Sequence, residues 1–179
     1  AGLVRAVTAR GITLCPFTRV SAIRRDGDSF DVVTDRGALR ARDVILATNG
    51  YTDGLMPWLQ RRLVPFDAWQ MATEELPQGL IDQLLPNDRT YIDSFMNVDA
   101  IRRAPDSNRV LYTGKTGTRS DQVTMARRLM GELKATFPDL KDVGVSHSWT
   151  GRCAATFDLL PHLGIHEGIH FAVGYCFAG

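Results

Sequence analysis

The sequence predicts an α+β fold built from antiparallel strands and one long helix. Alternating apolar and polar residues, separated by turn signals, fill the first part of the chain. One amphipathic segment near residue 130 has helical spacing. Strand-like segments lie on both sides of this helix, without the regular strand-helix alternation of a parallel sheet.

The first part of the chain is predicted to be a β-meander that leads into a buried strand. The residues on both sides of Gly27 alternate as in a hairpin, and Gly37 marks a second turn. Apolar runs before Pro16 and before Gly50 have the composition of buried strands. The expected strands cover residues 12–15, 20–24, 29–34, 38–42 and 43–50.

The clearest predicted helix covers residues 121–137. Ser120 or Asp121 can cap its first turn, and Pro138 ends it. Helical spacing predicts a buried face that contains Val123, Ala126, Met130, Leu133 and Phe137.

The remaining segments are predicted to be strands, one short helix and irregular chain. The short helix covers residues 79–85 and must stop before Pro86. Residues 55–62 are expected to be irregular or briefly helical, and Pro65 places the start of the next strand at an edge or a bulge. The expected strands cover residues 63–74, 91–103, 110–113, 143–150 and 169–173.

Composition and charge favour a soluble globular protein. The 179 residues are 44% apolar and 23% charged, with a net charge of +1. No apolar run approaches the ~20 residues of a membrane helix, and the basic residues form no stripe. We therefore expect neither a membrane nor a nucleic acid as a partner. Three widely spaced cysteines are typical of a reducing compartment, so we expect a cytoplasmic protein, and we expect no metal site.

Three familiar kinds of active site find little support in the residues. Gly114-Lys115-Thr116 looks like the end of a phosphate-binding loop, but Arg109 stands where that loop needs a glycine. The GxSxG motif of a hydrolase nucleophile does not occur. Cys153 has no base fixed beside it, so an inert buried cysteine is the better interpretation.

Two apolar strands that end in small residues carry a stronger signal. They lead into the turns at residues 44–51 and 174–179. Small residues allow another group to approach the backbone closely, and ligands of open α/β sheets lie beyond the carboxyl ends of strands. Each turn by itself is equally well explained as a tight reversal of the chain.

Four segments occur in an order that is typical of one enzyme family. They are residues 11–16 with Val20, residues 44–51, Trp149-Thr150-Gly151 with Thr156, Asp158, Pro161 and Gly164 downstream, and residues 168–179. Together they resemble the D-amino-acid oxidase-like flavoenzymes, which include glycine oxidase, sarcosine oxidase and gamma-glutamylputrescine oxidoreductase. The sequences ATNGY, LPHLG and GYC favour the gamma-glutamylputrescine oxidoreductase branch.

The resemblance implies two structural parts and FAD as the cofactor. Residues 1–60 and 150–179 are expected to be a remnant of an FAD-binding α/β domain that includes the meander. Residues 63–148 are expected to be a substrate domain, with an antiparallel sheet that carries the long helix. The FAD-binding residues that the resemblance implies are Val20 near the adenine, Ala47, Thr48, Asn49 and Gly50 near the diphosphate, and Gly174, Tyr175 and Gly179 at the flavin ring.

The chain departs from the family pattern in a way that bears on cofactor binding. The GxGxxG spacing that holds the FAD diphosphate at a helix N-terminus does not occur here. The sequence also stops in a turn after a buried strand, which predicts an internal piece of a longer protein. We therefore expect the isolated chain to bind FAD poorly or not at all, and to be inactive alone.

The resemblance implies oxidation of a C–N bond by hydride transfer to FAD, with a small-molecule amine as the substrate and no identified catalytic residue. Amino-acid oxidising members hold the substrate carboxylate with an arginine, and Cys153 stands at that position here. Arg152 would reach the same pocket only through a bulge, so we expect an amine such as a glutamylated polyamine, with Arg102 or Arg103 as candidates for a distant carboxylate. The alternative is a stand-alone binding module without cofactor or activity.

Overall fold

A computed structural model describes residues 2–93, 98–117 and 119–176. Helices α1 to α4 cover Gly2–Ala9, Pro57–Gln60, Gln78–Leu84 and Gln122–Thr136. Strands β1 to β11 cover Val20–Asp26, Ser29–Thr34, Gly37–Ala41, Ile45–Leu46, Val64–Thr73, Tyr91–Ile92, Ala100–Arg103, Val110–Gly114, Val145–Ala155, His162–His166 and Ile169–Val173. Single 3-10 turns cover Asn49–Tyr51, Pro86–Asp88 and Pro138–Leu140.

The strands form three sheets. Strands β1, β2 and β3 form an antiparallel meander. Strands β10, β11 and β4 form a second sheet, here called the mixed sheet, in which β11 is antiparallel to β10 and parallel to β4. The third, here called the large sheet, has the antiparallel order β6-β7-β8-β5-β9. The fold is therefore mixed, with mostly antiparallel sheets.

The meander forms where the sequence predicts it, with Gly27 in a left-handed turn between β1 and β2. Two predictions beside it are wrong. Residues 12–15 form no strand, and Ile12 is 51% exposed, because this run finds no partner strand among the described residues. Of the strand expected at residues 43–50, only Ile45–Leu46 pairs, and the chain then turns.

The large sheet carries helices α3 and α4 on one face, and their contact is the larger core. Helix α4 begins after Asp121, whose side chain accepts a hydrogen bond from the backbone N–H of Thr124, as predicted. The buried residues of this core come from both helices and from alternating positions of the strands. They include Trp69, Met71, Ile81, Leu84, Ile101, Val110, Tyr112, Met125, Leu129 and Leu133.

The predicted buried face of α4 is partly wrong. Met125, Leu129, Met130 and Leu133 are buried, whereas Val123 is 59% exposed. The expected and the observed faces share Met130 and Leu133, so the helix is rotated relative to the expectation. Apolar residues lie on both the expected and the observed face of α4. Which of the two faces is buried depends on how the helix packs against the large sheet.

The strand predictions for the middle of the chain hold in outline. Strand β5 pairs with β9 alone at Pro65, so the proline lies where β5 has a free edge. The strand expected at residues 91–103 is instead β6 and β7, which pair as a hairpin, and residues 94–97 lie outside the described ranges. Strand β10 was not predicted. Its apolar residues Leu163 and Ile165 are exposed, so the sequence does not show the usual pattern of buried apolar and exposed polar positions.

A second, smaller core joins the meander, α2 and the mixed sheet. Its buried residues are Phe30, Leu46, Met56, Leu59, Ile169 and Val173. Residues from both ends of the described chain therefore pack together. The division into residues 1–60 with 150–179 and residues 63–148 stays a prediction.

Candidate functional site

The two glycine-containing turns lie side by side. Strands β4 and β11 are parallel, so both turns follow the carboxyl ends of neighbouring strands. The backbone N–H of Gly174 donates a hydrogen bond of 3.0 Å to Oδ1 of Asn49. Both residues are in the left-handed region, with φ of +84° for Gly174 and +44° for Asn49. The two turns therefore form one hydrogen-bonded unit at the carboxyl ends of β4 and β11, where open α/β sheets bind ligands.

Gly50 lies against strand β9. A Cβ atom at Gly50 would stand 2.5 Å from the carbonyl oxygen of Cys153 and 2.6 Å from that of Arg152. The backbone N–H of Arg152 also donates a hydrogen bond of 3.1 Å to the hydroxyl of Tyr51. The group that approaches Gly50 closely is thus the large sheet itself, and this contact fixes the turn against β9.

A cavity of about 450 Å³ opens beside the end of β4. It brings together Val20 at the start of β1 with Ala47 and Thr48, three residues that the resemblance assigns to FAD. Other residues that line the cavity are Thr18, Arg19, Ile23, Val32, Val44, Ile45, Leu46, Tyr51, Asp53 and Leu55. The cavity is therefore lined by residues of both the meander and the mixed sheet.

The second turn lies close to the large sheet. Tyr175 is half-buried, and Gly179 lies outside the described residues. Burial is the main cause that raises the pKa of the Cys153 thiol, and the Asp67 carboxylate and the Cys176 thiol add to it. Cys153 therefore stays protonated at neutral pH and is not a thiolate nucleophile.

A hydrogen-bonded loop before β10 supports the turn at Gly174. The Asp158 carboxylate lies 2.8 Å from the hydroxyl of Thr156 and 3.0 Å from Nε2 of His162, and it accepts a hydrogen bond of 3.1 Å from the backbone N–H of Leu160. These bonds, that of Thr156 first, lower the pKa of Asp158 to about 2. A Cβ atom at Gly174 would stand 2.7 Å from Cγ2 of Thr156. The loop therefore acts as a rigid support for the turn.

Strand register separates Arg152 from Cys153. Arg152 is the direct partner of Asp67 and forms an ion pair of 3.6 Å with it. Residues of β5 on the side of Asp67 include the buried Trp69, so Arg152 points to the side of the sheet that carries the helices. The register between β5 and β9 shifts only after Ala72, and no bulge turns Arg152 towards the side of Cys153.

Arg102 and Arg103 lie elsewhere on the large sheet. Arg103 points towards the helices and forms ion pairs of 3.1 Å with Asp88 and 3.6 Å with Asp82. Arg102 is exposed on the other face, in line with Leu111 of β8. Arg102 lies in the row of Ala72 and Arg152 in the row of Asp67, so the two arginines are roughly 17 Å apart in the strand direction. The structure therefore does not bring them together.

The face of the large sheet opposite the helices, here called the open face, was missed by the sequence analysis. Cross-strand partners share a face, so the open face carries five pairs from β5 and β9. The pairs are Phe66 with Cys153, Ala68 with Gly151, Gln70 with Trp149, Ala72 with His147, and Val64 with Ala155. The first pair lies next to the turn at Gly50, and Trp149 is 40% exposed. The signal in the sequence is the alternation of β5, whose other positions are the core residues Trp69 and Met71.

Within the described ranges, no group of three or more His, Cys, Asp or Glu side chains is placed to hold a metal ion. Among the same residues, no helix is both long enough and apolar enough to cross a membrane.

Comparison with known proteins identifies the chain's relatives. The model of the family described as "FAD dependent oxidoreductase" matches residues 1–179. The probable oxidoreductase OrdL of Haemophilus influenzae is 30% identical over 97% of this chain and 41% of its own length. Gamma-glutamylputrescine oxidoreductase of Escherichia coli is 33% identical over 80% of this chain and 34% of its own length. The chain thus spans less than half the length of these curated relatives.

The fold of the chain is similar to that of solved structures of oxidases. Glycine oxidase of Geobacillus kaustophilus superimposes with a TM-score of 0.73 at 23% identity, over 97% of this chain and 47% of that one. At this identity the likeness concerns the fold alone.

Proposed function

Because the chain belongs to the family of FAD-dependent oxidoreductases, we propose that the complete protein oxidises a C–N bond of a small amine. The observation that carries the proposal is the hydrogen bond between Asn49 and Gly174, which joins the two cofactor-like turns beside the open face. A carbon-bound hydrogen of the amine leaves as a hydride with two electrons, and the nitrogen loses a proton. The resulting imine takes up water to give a carbonyl compound and releases its nitrogen, as ammonia where the oxidised amine is primary.

The residues of this chain fit one side of an FAD site. We assign Val20, Ala47, Thr48, Asn49 and Gly50 to the dinucleotide end, because they line or adjoin the cavity at β4. We assign Gly174, Tyr175 and Gly179 to the flavin end. When bound, FAD supplies the acceptor for the hydride. The chain contains no GxGxxG loop for the diphosphate, so the isolated chain is expected to bind FAD weakly and to be inactive.

The open face is the surface on which we place the substrate. Its pair Phe66 and Cys153 carries no charge, and the Cys153 thiol lies near the Cys176 thiol of the second turn. A surface of this kind excludes water and leaves the amine uncharged for hydride loss. Asp67 and Arg152 point to the opposite face and hold each other there. Unlike the guanidinium of an arginine, Cys153 cannot donate two parallel hydrogen bonds to a carboxylate beside the reacting carbon.

The amine that this surface favours lacks an α-carboxylate. A gamma-glutamylputrescine-like amine is the proposed substrate, supported by the uncharged Cys153 position and by the similarity to gamma-glutamylputrescine oxidoreductase. Such an amine carries its carboxylate far from the oxidised carbon. Arg102 is exposed on the same face, but it lies about 20 Å along the strands from Cys153 and three strands away across the sheet, so it is too far away to hold the carboxylate of such an amine whose oxidised carbon lies at Cys153. Arg103 is committed to Asp82 and Asp88.

The test is a substrate comparison with the complete protein. We expect a higher kcat/KM for gamma-glutamylputrescine-like amines than for small D- and L-amino acids. Cys153→Arg should raise kcat/KM for amino acids and lower it for the amine, because the new guanidinium can donate two hydrogen bonds to the carboxylate of an amino acid. Cys153→Ser is the matched control, since it removes the thiol without adding a charge. Faster turnover of simple amino acids by the native protein would refute the substrate class.

A further inference from the structure

Gln70 and Trp149 stand side by side in the middle of the open face. They are direct cross-strand partners in β5 and β9, so their Cβ atoms are about 5 Å apart. Their row lies two residues, or about 7 Å, beyond the pair of Ala68 and Gly151 and farther from the turn at Gly50. This pair therefore faces a part of the substrate several bonds away from the carbon that is oxidised.

The orientation of Gln70 is fixed by a neighbour. Its Nε2 donates a hydrogen bond of 2.6 Å to Oγ1 of Thr113, the residue beside it in β8. This bond uses one of the two N–H bonds of the amide, so the second N–H and Oε1 stay available to a ligand. Among the residues that the structure describes, Oε1 accepts no hydrogen bond. Oε1 of Gln70 can therefore accept a hydrogen bond from a ligand.

Gly151 indicates that something outside the described residues passes over this surface. Glycine in the middle of a strand costs about 0.5–1 kcal/mol relative to alanine. The backbone at Gly50 and Gly174 requires glycine because protein atoms stand within 3 Å of an added Cβ atom. Nothing stands within 4 Å of a Cβ atom at Gly151, and its φ is not in the left-handed region. The packing of the described chain does not explain this glycine, whereas a ligand or another part of the complete protein lying over it would.

We infer that Gln70 and Trp149 select substrates that carry an N–H group in the chain beyond the oxidised carbon, an inference that rests on the proposed function. Oε1 of Gln70 accepts the hydrogen bond of an amide or secondary-amine N–H. The indole of Trp149, 40% exposed, covers the methylene groups next to it.

The experiment compares two substrates that differ in one N–H group. Monoacetylated diaminobutane and the matching acetate ester of aminobutanol are oxidised by the complete, FAD-loaded protein, and kcat/KM is measured for each. We expect the native protein to prefer the amide by about tenfold, the worth of one hydrogen bond at the upper end of its usual range. Gln70→Met should reduce this preference to about one, because it keeps the shape but lacks the acceptor.

Gln83→Met is the control, because Gln83 is an exposed residue of α3 on the helix side of the sheet, and it should keep the native preference. The ratio is an internal reference, since misfolding lowers the rates of both substrates alike. Equal kcat/KM for both substrates in the native protein would overturn the inference without any variant. A preference that survives Gln70→Met would also overturn it. A protein that oxidises neither amine contradicts the proposed function itself.

Discussion

The hydrogen bond from the backbone N–H of Gly174 to Oδ1 of Asn49 joins two turns that are 125 residues apart in the sequence. The acceptor is the side chain of a residue that is itself in the left-handed region. One asparagine therefore serves both as the turn former after β4 and as the link to β11. This contact adds to the pairing of β4 with β11, which places the two turns side by side.

Asn49→Ala should weaken this link. The variant leaves the buried N–H of Gly174 without its acceptor, and alanine tolerates the left-handed region poorly. We expect a loss of about 1–3 kcal/mol in the free energy of unfolding and weaker FAD binding by the complete protein. Urea denaturation and titration with FAD measure the two effects. Asn49→Asp keeps the acceptor and should stay close to the native protein, and equal losses in both variants would contradict this role.

Gly50→Ala and Gly151→Ala should have opposite consequences. The added methyl group at Gly50 would stand 2.5 Å from the carbonyl oxygen of Cys153, and a strand backbone cannot move away cheaply. We expect Gly50→Ala to lower the free energy of unfolding by about 1–3 kcal/mol. Gly151→Ala meets nothing within 4 Å, so stability should be unchanged or higher while kcat/KM falls. A full-activity Gly151→Ala enzyme would argue against a ligand over this residue.

Leu129→Ala should be far more destabilising than Val123→Ala. Leu129 is fully buried between α4 and the large sheet, whereas Val123 is exposed on the same helix. Truncation of a buried leucine costs about 2–5 kcal/mol, and truncation of an exposed valine should stay within about 0.5 kcal/mol. Urea denaturation compares the two. A larger loss for Val123→Ala than for Leu129→Ala would mean that the helix packs through the face that contains Val123.

Asp158→Asn should destabilise the protein only where the carboxylate is ionised. The pKa of Asp158 is lowered from 3.8 to about 2, so its contribution to stability is present above about pH 4 and is lost as the pH falls to 2. We expect a lower Tm for the variant at pH 6, and a difference that shrinks between pH 4 and pH 2. Asp142→Asn, at an exposed position, should show no such dependence. A constant difference over the whole range would contradict the assignment.

Local signals in the sequence were sufficient for the meander, for β5 and for the bounds of α4. Glycine at a left-handed turn, an aspartate cap and a proline stop each act within a few residues, so their effect does not depend on the rest of the fold. The order of four short segments was sufficient for the family, which the match over residues 1–179 confirms.

Contacts between distant residues could be decided only by the tertiary structure. Which stripe of α4 is buried depends on the sheet beneath it, and the run at residues 12–15 stays exposed because no described strand pairs with it. The register of β5 against β9 sends Arg152 to one face and Cys153 to the other, and it places Gln70 beside Trp149. Contacts of this kind join residues that are far apart in the sequence, by 125 positions in the case of Asn49 and Gly174. Only the summed packing of the whole chain selects one register among those that local preferences allow.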